Sequence, residues 1–173
     1  MVSAILYSVL VGLVAIERLA ELVVAKRNLA WSRARGGTET GLGHYPFMVA
    51  LHSGLLIGCV LEVWLGNRQF LPVLGWPMLA LVIGAQTLRW WCIRTLGHQW
   101  NTRIIVVPDL PLVTGGPYRL IRHPNYVAVI VEGFALPLVH TAFLTAIAFS
   151  VLNAGLLTVR IRAENSALHA VHA

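Results

Sequence analysis

Long apolar runs, each close to the length that crosses a bilayer, are broken only by short polar connections, and this pattern leaves few folds open. Charged residues make up 12% of the chain and hydrophobic ones 57%, whereas soluble domains carry about 25% charged residues. A chain so poor in charge cannot cover itself with a wet surface. It reads as an integral membrane protein, an all-α polytopic helical bundle. Each span needs roughly 20 apolar residues, so the chain has room for about five transmembrane helices.

The first run covers 2–25. Glu17, Arg18 and Glu21 intrude near its end; Glu17 and Glu21, four apart, share a helix face, either among the headgroups or lining a site. A polar connection with Gly36 and Gly37 follows over 26–46. The second span is 47–65, with His52 expected to hydrogen-bond inside the bundle and Glu62 expected at the interface. Gly66-Asn67-Arg68-Gln69 turns the chain into a third span over 71–93, whose Trp90-Trp91, between Arg89 and Arg94, has the composition of an interfacial belt. A long polar connection, 95–123, contains the β-branched run Ile104 to Val107, too short to span and suited to an extended segment. Pro108, Pro111 and Pro117 forbid a continuous helix there. The last two apolar stretches, Tyr126 to Val139 and Thr141 to Val159, are each short for an upright span and read as a helical hairpin broken near Pro137–His140. One domain is expected over 1–173, with 1–95 as membrane scaffold and 96–173 as the cofactor-binding and catalytic part.

A net charge of +6 does not signal nucleic acid here, because the basic residues lie in loops between apolar runs. Lys26, Arg27, Arg33 and Arg35 follow span one; Arg94, Arg103, Arg119 and Arg122 follow span three; Arg160 and Arg162 follow the hairpin. Only Arg68 lies on the opposite side. The positive-inside rule puts these connections and the C-terminal tail in the cytosol. Lys26 is the only lysine, a bias that points to a GC-rich bacterial genome and so to an inner membrane. No basic region precedes the first run, which is expected to remain as a helix. Cys59 and Cys92 sit inside apolar runs and read as buried thiols.

The densest polar passage is Gly115-Gly116-Pro117-Tyr118-Arg119-Leu120-Ile121-Arg122-His123-Pro124-Asn125-Tyr126. Arg122 offers a rigid multi-donor group suited to a carboxylate, and His123 can donate or accept near neutral pH. Tyr118 and Tyr126 can enclose an aromatic base or a cation. Glu132 lies about two turns into the following helix, where a carboxylate is either functional or paired with a bundle arginine such as Arg89. Arg160 and Glu164, four apart on one helix face, can hold a zwitterion or simply form a juxtamembrane ion pair. The histidines and cysteines have no metal-ligand spacing. Phosphate-binding and dinucleotide-binding glycine loops and the G-x-S-x-G elbow are absent. Any cofactor must be diffusible and held without a Rossmann fold.

Leu112-Val113-Thr114-Gly115-Gly116-Pro117-Tyr118, then Arg122-His123-Pro124-Asn125-Tyr126, then Arg160-Ile161 and Glu164 after a hairpin, resemble the isoprenylcysteine carboxyl methyltransferase family, most specifically over 96–168. The resemblance implies a multi-span enzyme that takes cytosolic S-adenosylmethionine and methylates a lipophilic acceptor reached from within the bilayer. It implies cofactor contacts from Leu110, Pro111, Leu112, Val113, Tyr118, His123, Pro124, Asn125, Tyr126 and Glu164, with Arg103 as a further contact, and it turns Arg160 toward the acceptor. The family often carries two tail glutamates; here Asn165 follows Glu164. A carboxylate acceptor needs only alignment, by Arg160, whereas a phenol or enol needs a base, for which His123 and Glu132 are the candidates. An alkyl-polyketide lipid suits a bacterial host better than a prenylated protein. Phospholipid N-methylation, an NADPH-dependent sterol-type reductase with a similar Arg-His-Pro-Asn-Tyr passage, and a non-catalytic scaffold are the alternatives. Membrane lipids are expected neighbours, and the oligomeric state is open.

Overall fold

Residues 26–33 contain no helix breaker, and the first helix, α1, accordingly runs over Val2–Arg33, eight residues beyond the expected end of the first span. Gly36 and Gly37 stop it. Gly36 takes a positive φ of 76°, and the Gly37 amide returns to the Ser32 carbonyl at 2.9 Å. A Cβ on Gly37 would sit 2.7 Å from that carbonyl oxygen, so only glycine fits this cap.

The structure, a computed structural model, describes residues 1–40 and 42–172, and gives the backbone alone for Leu42 and 168–172. Four further helices follow: α2 over Tyr45–Leu65, α3 over Pro72–Leu96, α4 over Pro124–Leu138 and α5 over Phe143–His172. Proline opens α3 and α4 and sits in the first turn of α2, where its missing N–H costs nothing. The all-α expectation needs one amendment. Thr38–Thr40 (β1) pairs antiparallel with Ile104–Val106 (β2), Glu39 opposite Ile105. The β-branched run is extended as expected, and its partner is the short Thr-Glu-Thr segment.

Of these helices, α2 and the Phe143–Ala167 part of α5 are long and apolar enough to cross a bilayer. The five expected spans reduce to these two by that measure. Charged residues interrupt α1 and α3, and α4 has only 15 residues. The tail residues Arg160, Arg162 and Glu164 lie within α5 rather than beyond its end.

The apolar core sits at the end of the bundle away from the β pair. Tyr7, Val11, Leu55, Cys59, Val82, Leu136 and Phe149 meet there. Lipid tails are as apolar as these side chains, so close packing and buried hydrogen bonds must hold such helices together. Gly133 supplies the first: a Cβ on it would collide with the Phe149 ring, which brings α4 tightly onto α5. The second comes from Tyr7, whose hydroxyl donates to the Leu136 carbonyl at 3.1 Å. Thr141 donates to the Gln69 carbonyl at 2.8 Å and ties the two turns at this end together. Glu62, expected at an interface, caps α5 by accepting from the Leu144 and Thr145 amides at 3.1 and 2.7 Å, with Arg68 beside it at 2.9 Å.

Candidate functional site

At the opposite end, the 97–123 connection folds over α1, α3 and the start of α4. Asn28 of α1 donates to the Gly97 and Trp100 carbonyls at 3.0 and 2.7 Å, which fixes the path toward β2. The Gly115-Gly116-Pro117-Tyr118 motif then forms a single helical turn, Gly116–Arg119, against α3. Gly116 has a φ of 54°, and a Cβ there would collide with Thr95. The glycine therefore permits both the backbone conformation and the contact, and the turn aims Tyr118 inward. Burial pushes the Tyr118 phenol above its ordinary range, with Cys92 adding to the rise.

His123 precedes α4 and stacks on Tyr126, ring centres 5.4 Å apart at 28°. Its Nδ1 lies 3.8 Å from Glu164 of α5, and its Nε2 is buried without a partner among the described residues. The Tyr126 hydroxyl donates to Glu164 and accepts from Arg160 Nε at 3.0 Å. Arg160 is 7% exposed. Its other nitrogens meet the Met48 sulfur and, at 2.6 Å, the Thr102 carbonyl. No carboxylate lies within ion-pair distance of it among the described residues, so the pair expected between Arg160 and Glu164 is replaced by a relay through Tyr126. Burial, aided by Arg160, lowers the basicity of nearby His44.

Two cavities meet at this relay. One, of about 120 Å³, is half polar in character and lies under β2; Arg103, Tyr118, His123, Asn125, Tyr126, Arg160 and Glu164 line it. Arg103 is held by Glu39 of β1 at 2.6 Å and lies over the Tyr45 ring at 4.4 Å; the hydrogen bond to Glu39 raises its basicity against the effect of burial. The other cavity, of about 160 Å³, is mostly apolar, with Leu22, Val49, Leu56, Val129, Leu156 and Leu157 in its walls. Leu22 and Val49 are exposed on the outer face of the bundle and mark an opening between α1 and α2. Trp100, Asn101, Asn125, Tyr126 and Arg160 belong to both cavities. Trp100 Nε1 and Asn125 Oδ1 are buried there with no partner among the described residues.

The remaining candidates fall elsewhere. Leu110 and Val113 are half-buried, Pro111 and Leu112 exposed, and Pro124 is buried; none of them lines the polar cavity. Arg122 is exposed. Glu132 accepts from Arg18 at 2.7 Å and lies 4.0 Å from Arg89, so it belongs to an ion cluster. In that cluster Glu21 receives Arg18 at 2.7 Å and Arg89 at 2.5 and 3.0 Å, and Glu17 takes Gln86 and, at 2.5 Å, Trp90. Sequence reasoning undervalued His52. It hydrogen-bonds inside the bundle, as expected, through Nδ1 to the Met48 carbonyl at 2.9 Å, but it also lines the apolar cavity. No sequence signal could have found this, since the contact that brings α2 to Arg160, through Met48, exists only in the fold.

Residues 78–170 match the isoprenylcysteine carboxyl methyltransferase (ICMT) family. Among individual proteins, the chain is similar to the uncharacterized protein YpbQ of Bacillus subtilis (strain 168), 39% identical over 164 residues, 94% of this chain and 96% of that one. It is also similar to an uncharacterized protein of Haemophilus influenzae, 26% identical over 138 residues, 78% of each chain.

Proposed function

Because the chain belongs to the isoprenylcysteine carboxyl methyltransferase family, we propose that it is a membrane methyltransferase that joins S-adenosylmethionine, in the polar cavity, to an oxygen of a lipophilic acceptor in the apolar one. The observation that carries this reading is the shared wall of Trp100, Asn101, Asn125, Tyr126 and Arg160. A water-soluble donor and an oil-soluble acceptor can touch at that wall.

The residues of the polar cavity fit the cofactor. Glu164 is placed for the ammonium or the ribose hydroxyls, Tyr118 and the His123–Tyr126 stack for flat or cationic surfaces, and the unpaired His123 Nε2 and Asn125 Oδ1 for its remaining polar edges. When bound, S-adenosylmethionine supplies the methyl group from a sulfonium. Such a displacement needs alignment and exclusion of water more than covalent help. Alignment falls to Arg160, a buried cation without a carboxylate, which draws an anionic or partly anionic oxygen to the wall. The unpartnered Trp100 N–H can donate to the same oxygen. The Tyr126 hydroxyl keeps the Arg160 fork rigid from one side while Glu164 holds Tyr126 from the other. We read the β-pair end as cytosolic and all five helices as passing through the membrane.

Calorimetry on purified protein tests this. S-adenosylhomocysteine should bind the wild type and bind Glu164→Ala and His123→Ala about tenfold or more weakly, since each removes a charged or ring contact. Binding of NADPH with no response to S-adenosylhomocysteine would replace the reading with a reductase.

A further inference from the structure

Exposed hydrocarbon on the long helices, such as Leu13, Ile57 and Leu144, faces lipid tails on the reading above. Leu120 and Ile121 need another account. They lie in the polar connection between α3 and α4, yet they are 80% and 40% exposed. Arg119 and Arg122 flank them and are exposed as well. Neither arginine has a carboxylate within ion-pair distance among the described residues. Two adjacent apolar side chains between two cations without counter-charge make a surface built to meet something.

Its neighbours identify what it meets. The Gly116–Arg119 turn rests on α3: a Cβ on Gly116 would come within 3.1 Å of Trp91 Nε1 and 2.4 Å of the Thr95 hydroxyl. Trp91 is exposed, and so is Arg94, three residues on and therefore on the same helix face. A tryptophan beside an arginine at the end of a membrane helix marks the headgroup level. On the other side, α4 begins at Pro124, two residues after Arg122. The patch thus stands where one helix leaves the hydrocarbon and the next enters it. Its charge is opposite to that of acidic phospholipid headgroups.

We propose that Arg119, Leu120, Ile121 and Arg122 form a docking surface for acidic phospholipids of the adjoining leaflet, and that this docking holds the cofactor cavity in shape. The two apolar side chains enter the headgroup layer and the two guanidiniums take phosphates. The effect on the cavity follows from where the strap ends. Tyr118 and His123, the residues on either side of these four, both line the polar cavity. The Leu120 and Ile121 amides both donate to the Pro117 carbonyl at 3.1 Å, so the strap is closed on itself and moves as one piece. Fixing its middle on the membrane fixes both its ends. The docking rests on the membrane placement alone, and its effect on the cofactor rests also on the methyltransferase reading.

The test uses the full chain in nanodiscs of phosphatidylcholine, with or without phosphatidylglycerol. Leu120→Cys carrying an environment-sensitive NBD label reports docking with no cofactor present, and the buried Cys59 and Cys92 leave little background. Its emission should move to the blue in acidic discs, return to the red as salt is raised, and stay red in acidic discs when Arg119→Gln and Arg122→Gln are added. S-adenosylhomocysteine has no net charge, so an acidic surface does not concentrate it. The wild type should bind it about fivefold more tightly in acidic discs, part of the roughly thirtyfold that two arginines near such a surface are worth. The Arg119→Gln/Arg122→Gln variant should bind it equally in both discs, at the wild-type affinity for neutral discs. A label that stays water-like in acidic discs, or moves equally in both kinds, overturns the docking surface. A blue shift in detergent that grows with protein concentration assigns the patch to a second copy and overturns it too. Equal wild-type affinity for S-adenosylhomocysteine in the two discs overturns the link to the cavity. No binding of S-adenosylhomocysteine in either disc removes the methyltransferase reading instead, and the label alone then decides the docking surface.

Discussion

Arg160 is held at three nitrogens, and among the described residues no carboxylate neutralises it. Lysine at this position keeps the charge but loses the planar fork. Arg160→Lys is expected to lower kcat/KM for the acceptor by about 10- to 100-fold, the range of one buried charged hydrogen bond, with S-adenosylhomocysteine affinity changed far less; steady-state kinetics and calorimetry on one preparation check both. Tyr126→Phe cuts the link to Glu164 and should weaken S-adenosylhomocysteine binding as well, by about fivefold to tenfold. At this scale the sequence was most readable where polarity was out of place. Tyr118, His123, Asn125, Tyr126, Arg160 and Glu164, singled out in a hydrocarbon-rich chain, all line one cavity. Leu110 to Val113 were carried by resemblance alone and lie outside its lining. His52 was hard to weigh, because a histidine in an apolar run looks the same in sequence whether it faces a packed core or a cavity.

Elements are positioned by their glycines. Gly116→Ala would force a side chain into a positive φ and against Thr95, so the Gly116–Arg119 turn must lift from α3 and take Tyr118 with it. Weaker S-adenosylhomocysteine binding with little change in melting temperature is the expected signature, because the turn lies outside the apolar core. Gly133→Ala meets the buried Phe149 ring between α4 and α5 and should destabilise the bundle by about 1–3 kcal/mol, as overpacking does; a thermal melt followed by circular dichroism reads it. Helix positions were legible from the apolar runs, but their ends were not. The polarity of 26–33 hid the last two turns of α1, because a helix that leaves a membrane turns polar without turning into loop. Thr38–Thr40 gave no local sign of a strand, since its conformation exists only through pairing with Ile104–Val106.

The whole molecule is divided into an apolar end and a polar end, with Glu17, Arg18, Glu21, Arg89 and Glu132 linking α1, α3 and α4 between them. Two arginines face three carboxylates there. Arg89→Met would leave Glu21 short of a partner and should cost roughly 3–5 kcal/mol, whereas the double change with Glu21→Leu should recover much of it; melting temperatures of the single and double variants decide. The distribution of arginines predicts the orientation. Cysteine at Asn67 should react with an impermeant maleimide on intact cells, and cysteine at Thr114 only after permeabilisation, against the low background of the buried Cys59 and Cys92.

The partition built from Trp100, Asn101, Asn125, Tyr126 and Arg160 separates two sets of residues that otherwise share nothing. On the proposed reading, substitutions confined to the oily compartment alter what is methylated without disturbing the grip on the methyl source. A lineage built this way can change its product while keeping its fuel, and an engineer seeking new acceptors would begin with Val49, Leu56 and Leu157.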